Sequence, residues 1–223
     1  MAIQLQRQAA PLRMQVAAAI QEQIVTGVYR PGERLVERRL EADFDVSRTV
    51  IREALRQLES QHLITVKPNV GPAVSSLTRT DAQNLYQVRS ALEGLAASLA
   101  ARHASAEDVE KLRGLLTEYE HAAERDVTTI LPIKDQFYEV LITASGNPVI
   151  ADLFANVQAR IALLRAHTLQ VPERAAESHK ELVAVVDAIA AGDGELAAQV
   201  SREHVASAQE VALTHFTDDP DAP

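Results

Sequence analysis

No cysteine occurs anywhere in the chain, which excludes a disulfide framework, thiolate metal sites and cysteine nucleophiles. Tryptophan is also absent and aromatic residues make up only 4%. With Ala and Leu abundant, that poverty favours helix over strand. No apolar run approaches the roughly 20 residues of a membrane span. Residues 1–10 are Gln-rich and lack the apolar segment of a secretory signal, so the cytoplasm is the expected location and no membrane partner is expected. HExxH pairs, Gly-rich phosphate loops and a nucleophile-elbow context for Ser are likewise missing, which leaves little for an enzyme to work with. What remains is an ordinary globular composition, 47% hydrophobic and 24% charged over 223 residues. That length suits two modest domains.

A formal net charge of −9 argues at first against a polyanionic partner. The distribution reverses that reading. Residues 1–78 carry ten Lys/Arg against eight Asp/Glu, net +2, whereas residues 79–223 carry twelve against twenty-three, net −11. Six of the seven histidines, all but His62, lie in the acidic part.

Leu12, Val16, Ile20 and Ile24 recur at helical spacing and predict an amphipathic helix over 11–26. A short helix is expected over 37–44. After the turn at Asp45-Val46, Ser47 is a good N-cap for a helix over 48–60. Val46 and Ile51 flank that cap as a hydrophobic staple. Residues 64–67 and 72–77 read as two strands joined by the turn Pro68-Asn69-Val70-Gly71. Three helices and a hairpin in this order are the parts of a winged helix-turn-helix. Beyond residue 79 the strand signals vanish. Thr80 with Gln83 suggests a capping box opening a helix to 102, Ser105 caps the next, and Asn147-Pro148 starts another. Helices are also expected over 130–144, 172–191 and 195–214. The fold class is therefore mainly α: a winged helix-turn-helix over 1–78, an antiparallel bundle of about six helices over 79–214, and a disordered acidic tail over 215–223.

On the 48–60 helix, Ile51, Ala54, Leu55 and Leu58 share the inward face. Arg48, Thr49, Arg52 and Arg56 lie opposite, near the end that a recognition helix presents to base edges. Arginine can bond guanine O6 and N7 through two parallel hydrogen bonds, and Ser47 and Thr49 suit phosphates. A solvated helix whose arginines pair with Glu53 and Glu59 is the alternative. The run from Gly27 through Pro31-Gly32 and Leu35, then Ser47-Arg48-Thr49-Val50-Ile51-Arg52-Glu53-Ala54-Leu55-Arg56, resembles the DNA-binding domain of the GntR family of bacterial regulators. The resemblance spans 12–77 and implies DNA contacts at Arg38, Ser47, Arg48, Thr49 and Arg52, with Gly71 in the wing tip. Val50 stands where the family usually has Pro, and His62 where it often has Gly. Val70 replaces a basic residue before Gly71, so wing contacts rest on Lys67 and Asn69.

The second part resembles the FCD effector domain of the FadR-like branch of that family. The matching residues are Arg89 and Glu93, Phe137-Tyr138, Asn147-Pro148, Asp187-Ala188-Ile189, Asp193 and His204. That resemblance implies a bundle whose cavity binds a small ligand, commonly a carboxylate, and in many members a divalent metal between an Asp and three His. Here Lys134 stands at the family's Asp position and Tyr138 at its first His. Neither suits a divalent ion, so no metal and no cofactor are expected. An anionic organic effector held by Arg89, Lys134, Tyr138, His204 and His179 is expected instead. Three readings compete: a helix phase that turns Asp135 and Glu139 inward, a solvated Lys134 with surface histidines, and a plain i, i+4 pair between Arg89 and Glu93.

Together these features predict an effector-responsive regulator of a metabolic operon, expected to repress, that binds a palindromic double-stranded operator as a homodimer. A helical scaffold without DNA binding is the competing class, and steep salt dependence with sequence preference would separate the two.

Overall fold

The computed structural model describes residues 11–67, 70–123, 129–169, 171 and 173–214. It divides the chain into two compact units, Met1–Ser76 and Leu77–Pro223. Asn69, the side chain of Lys67 and the expected tail over 215–223 lie outside the described residues.

The first unit runs α1 (Leu12–Val25), α2 (Glu37–Phe44), α3 (Arg48–Ser60), β1 (Ile64–Lys67) and β2 (Gly71–Val74). Val16, Ala17, Ile20 and Ile24 bury one stripe of α1, which packs on α3, while Leu12 in the first turn stays exposed. Ile51, Ala54, Leu55 and Leu58 are the buried residues of α3, and Ser47 caps it by accepting from Val50 N at 3.5 Å. His62, after the end of α3, takes the left-handed region at φ 59. Its chain returns through Leu63 N donating to Leu58 O at 3.0 Å, a turn for which glycine is the less strained choice.

The hairpin pairs Ile64 with Val74 and Lys67 with Gly71, antiparallel. β2 ends at Val74, short of the expected 77, and Ser75 N makes one further bond to Leu63 O. The sequence pattern did not show why the hairpin is anchored. The segment after α1 lies along β2, with Gly32 N donating to Val74 O, Val74 N to Glu33 O and Leu35 N to Pro72 O. A two-stranded hairpin is marginal alone, and this third partner ties it to the helices.

The second unit contains α4 (Arg79–His103), α5 (Ala106–Ala123), α6 (Ile130–Ala144), α7 (Pro148–Leu169), α8 (Arg174–Ala190) and α9 (Gly194–Leu213). The capping box of α4 is Thr78 with Asp81, two residues before the expected Thr80 and Gln83. Asp81 reaches Thr78 N at 3.1 Å while Thr78 Oγ1 accepts from Asp81 N at 3.1 Å, satisfying both orphan donors. Ser105 forms the same reciprocal arrangement with Asp108 on α5, and Asn147 Oδ1 caps α7. α8 is described from Arg174, after Glu173 left-handed at φ 67, and the expected start at 172 lies outside the described residues.

α4 packs along α9, and α5 along α6 and α8. The α4–α9 approach needs small residues: a Cβ on Gly94 would lie 3.1 Å from Arg202 Cγ, and one on Gly194 3.0 Å from the Ser98 carbonyl. Ala82, Leu85, Tyr86, Leu164, Val205, Ala208 and Ala212 form the apolar core at one end of this pair. No helix among the described residues is long and apolar enough to cross a membrane.

Candidate functional sites

The exposed face of α3 carries Arg48, Thr49, Arg52 and Arg56, as its apolar periodicity requires, and Arg38 is exposed on α2. The arginines do not pair with Glu53 and Glu59. Instead Glu37, the first residue of α2, takes both: Arg48 Nε donates to Glu37 Oε2 at 2.8 Å and Arg52 Nε to Glu37 Oε1 at 3.0 Å. The hydrogen bond from Arg48, then that from Arg52, holds the Glu37 carboxyl below its ordinary range. Both arginine side chains stay more than half exposed, at 62% and 53%. Ser47 and Thr49 are exposed beside them at the helix start, where free amides suit a phosphate. Gly71 opens β2 at φ 94, with no atom nearer to a built Cβ than Arg34 Nε at 4.0 Å. A backbone in that conformation favours glycine.

Within the bundle, the phase of α6 turns Lys134 and Tyr138 inward together with Phe137 and Leu141. Asp135 sits at the rim, 41% exposed, and Glu139 faces outward, so the alternative phase is not adopted. Lys134 is not a surface lysine. It is buried, and its Nζ donates to Ser178 Oγ at 2.9 Å.

Around it lies a buried polar cluster larger than the sequence pattern suggested. Arg89 Nε donates to Glu93 Oε1 at 2.9 Å, with both side chains 1% exposed. Arg165 lies with its guanidinium 4.0 Å over the Tyr138 ring, and its Nη1 donates to Asp135 Oδ1 at 2.8 Å. Arg174 Nη2 donates to Glu181 Oε2 at 2.8 Å, and the same oxygen accepts from His204 Nδ1. Arg165, Arg174 and Glu181 match no motif; Arg165 and His204 meet their carboxylates across thirty and twenty-three positions, and Arg174 meets Glu181 two turns along the same helix.

Three buried guanidiniums and the buried Lys134 amine thus face two carboxylates, Glu93 and Glu181, with Asp135 at the edge. Burial raises the Glu93 carboxyl, but Arg89 and Arg165 overcome this and hold it below the ordinary range. Burial likewise opposes the charge on Glu181, which His204 and Arg174 nonetheless hold down to about 2. Lys134 is pushed well down, first by burial and then by Arg165, Arg89 and Arg174. Burial takes His204 down to about 4, so its neutral ring donates from Nδ1 and keeps a lone pair on Nε2. Among the described residues, buried Nη2 of Arg89, Nε and Nη2 of Arg165, Nη1 of Arg174, the Tyr86 and Tyr138 hydroxyls, Glu93 Oε2 and His204 Nε2 make no hydrogen bond. Buried polar atoms are normally paired with protein or water, and here several converge without a protein partner. The unpaired guanidinium nitrogens suit an anion, while Glu93 Oε2 and His204 Nε2 are acceptors.

The metal site of related domains does not fit these residues. Three arginines and a lysine repel a divalent cation, and no group of three or more His, Asp or Glu is placed to hold one among the described residues. His179 stands outside the cluster. Its Nε2–H donates to Leu116 O at 3.1 Å, its ring lies 5.6 Å from that of Tyr119, and it lines a surface cleft with Arg113, Thr117 and Asp187.

Two family models match the chain: the GntR family of bacterial regulatory proteins over residues 12–74 and the FCD domain over 84–207. A probable D-xylose utilization operon transcriptional repressor of Paenarthrobacter nicotinovorans is 31% identical, covering 86% of this chain and 85% of its own length. The HTH-type transcriptional regulator YdhC of Bacillus subtilis is 29% identical over 94% of this chain and 89% of its own. The solved structure of Escherichia coli McbR superposes with a TM-score of 0.82 at 22% identity, covering 93% of this chain and 99% of that one, and so shares the fold. These relatives are regulators rather than enzymes, as the missing catalytic motifs anticipate. The chain belongs to the GntR family, with a winged helix-turn-helix followed by an FCD domain, and is a transcriptional regulator.

Proposed function

We propose that this regulator represses a metabolic operon by binding a palindromic operator as a homodimer, and that a small organic anion in the bundle controls it. The observation that carries the effector reading is the buried set of unpaired donors on Arg89, Arg165 and Arg174 beside Lys134 and Tyr138. A carboxylate accepts forked hydrogen bonds from guanidinium groups and would take the donors left unpaired. The lone pair on His204 Nε2 would accept from a hydroxyl of the same molecule. Repression is supported by the Paenarthrobacter relative, a probable operon repressor.

DNA reading is assigned to Arg38, Ser47, Arg48, Thr49 and Arg52, with Lys67, Asn69 and Gly71 at the wing. Arg52→Ala is expected to weaken binding to the cognate duplex by about 1–3 kcal/mol and to relax preference at one base position. Fluorescence anisotropy against a set of single-base operator variants measures both. Wild-type affinity and selectivity in R52A would remove the recognition-helix assignment.

One recognition helix spans only a few base pairs, so selectivity calls for two copies on a two-fold site. Val88, Ala91 and Leu95 form an exposed apolar stripe on α4 that supports self-association. Sedimentation of the full chain is expected to give twice its 24.3 kDa mass. A monomer alone at micromolar concentration would sink the dimer.

A further inference from the structure

The recognition arginines meet a carboxylate that neither the family resemblance nor the assigned contacts explain. Glu37 is 24% exposed and engages Arg48 Nε at 2.8 Å and Arg52 Nε at 3.0 and 3.2 Å, eleven and fifteen residues away. Glu41, one turn along α2, adds a second carboxylate 4.0 Å from Arg48 Nε. A guanidinium offers two forked edges, one made of the terminal Nη pair and one made of Nε with an Nη. Both arginines have their Nε bonded to the same carboxylate, so the side edge of each is occupied and the terminal pair is left unbonded.

We propose that Glu37 is a positioning residue for DNA reading, holding Arg48 and Arg52 by their Nε atoms so that only the terminal Nη pair of each is offered to guanine. The inference rests on the recognition-helix reading of α3. Two consequences follow from its chemistry. The arginines arrive with their orientation already set, so less side-chain freedom is lost on reaching a base edge. The carboxylate also sits beside them on the DNA-facing side, where it repels phosphates and keeps the arginines from settling on the backbone of any duplex. Glu37 therefore raises selectivity by strengthening the right contact and weakening the wrong one.

The bland role for Glu37 is an acidic residue in the first turn of α2, favourable to the helix dipole. That role would move stability and leave the ratio of specific to non-specific binding alone. The test uses the full chain and a duplex that the wild-type protein selects from a random pool, with a scrambled duplex as the non-specific probe. Affinities for both are measured over a salt series for wild type, Glu37→Gln, Glu37→Ser and Arg52→Ala.

For both Glu37 variants the ratio is expected to fall by about tenfold, the scale of one lost base contact. Non-specific binding stays equal or tightens, with a steeper salt dependence as a repelling charge is removed. An unchanged ratio, or an equal loss on both duplexes, overturns the proposal in favour of a structural role. Tighter specific binding with an improved ratio also overturns it, because the contact would then be a latch that DNA must break. If Arg52→Ala leaves the ratio intact, the reading of α3 fails and the proposal fails with it. A loss in Arg52→Ala without one in the Glu37 variants rejects the positioning role alone.

Discussion

Glu93→Ala is expected to lower the stability of the chain by about 3–5 kcal/mol, the scale for removing one partner of a buried ion pair. Glu93 is 1% exposed and bonds Arg89 at 2.9 Å, while Arg165 Nη2 stands 3.9 Å from the same oxygen. Without the carboxylate, Arg89 loses its counter-charge and Arg165 keeps only Asp135, in a cluster that already holds Lys134 and Arg174. The long Arg89 side chain is 1% exposed overall, so it has no short route to water. By contrast Lys111 and Glu107 form an exposed i, i+4 pair on α5, and such pairs contribute little. Urea titration followed by circular dichroism measures the loss. A change below about 1 kcal/mol, the level of an ordinary surface pair, would show that Asp135 or solvent takes over the role of Glu93.

Lys134→Met is expected to weaken effector binding by about 10–100-fold, the scale of one hydrogen bond to a charged group, while leaving DNA binding intact. Lys134 is buried among Arg89, Arg165 and Arg174, and burial and those charges together depress its pKa well below the ordinary lysine range. A bound anion would reverse part of that depression by stabilising the ammonium form. Between the free and the bound pKa of Lys134 binding takes up a proton, so wild-type affinity should be flat below that window and weaken as pH rises through it. In the methionine variant that slope should vanish. A thermal-shift screen of mono-, di- and tricarboxylates finds the ligand, since saturation at 100 times its dissociation constant stabilises by about 2.7 kcal/mol. Calorimetry in buffers of different ionisation enthalpy then counts the protons. Equal affinities of wild type and K134M, or a flat pH profile, would show that Lys134 takes no part.

The helix boundaries and both faces of α3 were readable because they depend on neighbours within a turn. Ser47 caps α3 through a residue three places on, and Ile51, Ala54, Leu55 and Leu58 repeat with the helix period. The inward phase of Lys134 and Tyr138 followed from the apolar residues that share their face, Phe137 and Leu141. Even local signals misled where two candidates lay close together: Thr78 and Asp81 make the capping box that Thr80 and Gln83 suggested.

Residue order was thus enough for the winged helix, the bundle and the family, since periodicity, caps and turn residues act over a few positions. Packing alone decided which charges meet. Glu37 reaches Arg52 across fifteen positions, Glu181 reaches His204 across twenty-three, Asp135 reaches Arg165 across thirty and Lys134 reaches Ser178 across forty-four. Those pairings depend on which helix lies beside which. No local pattern records that choice, because an acidic residue on an amphipathic helix looks the same in sequence whether it faces water or a buried arginine.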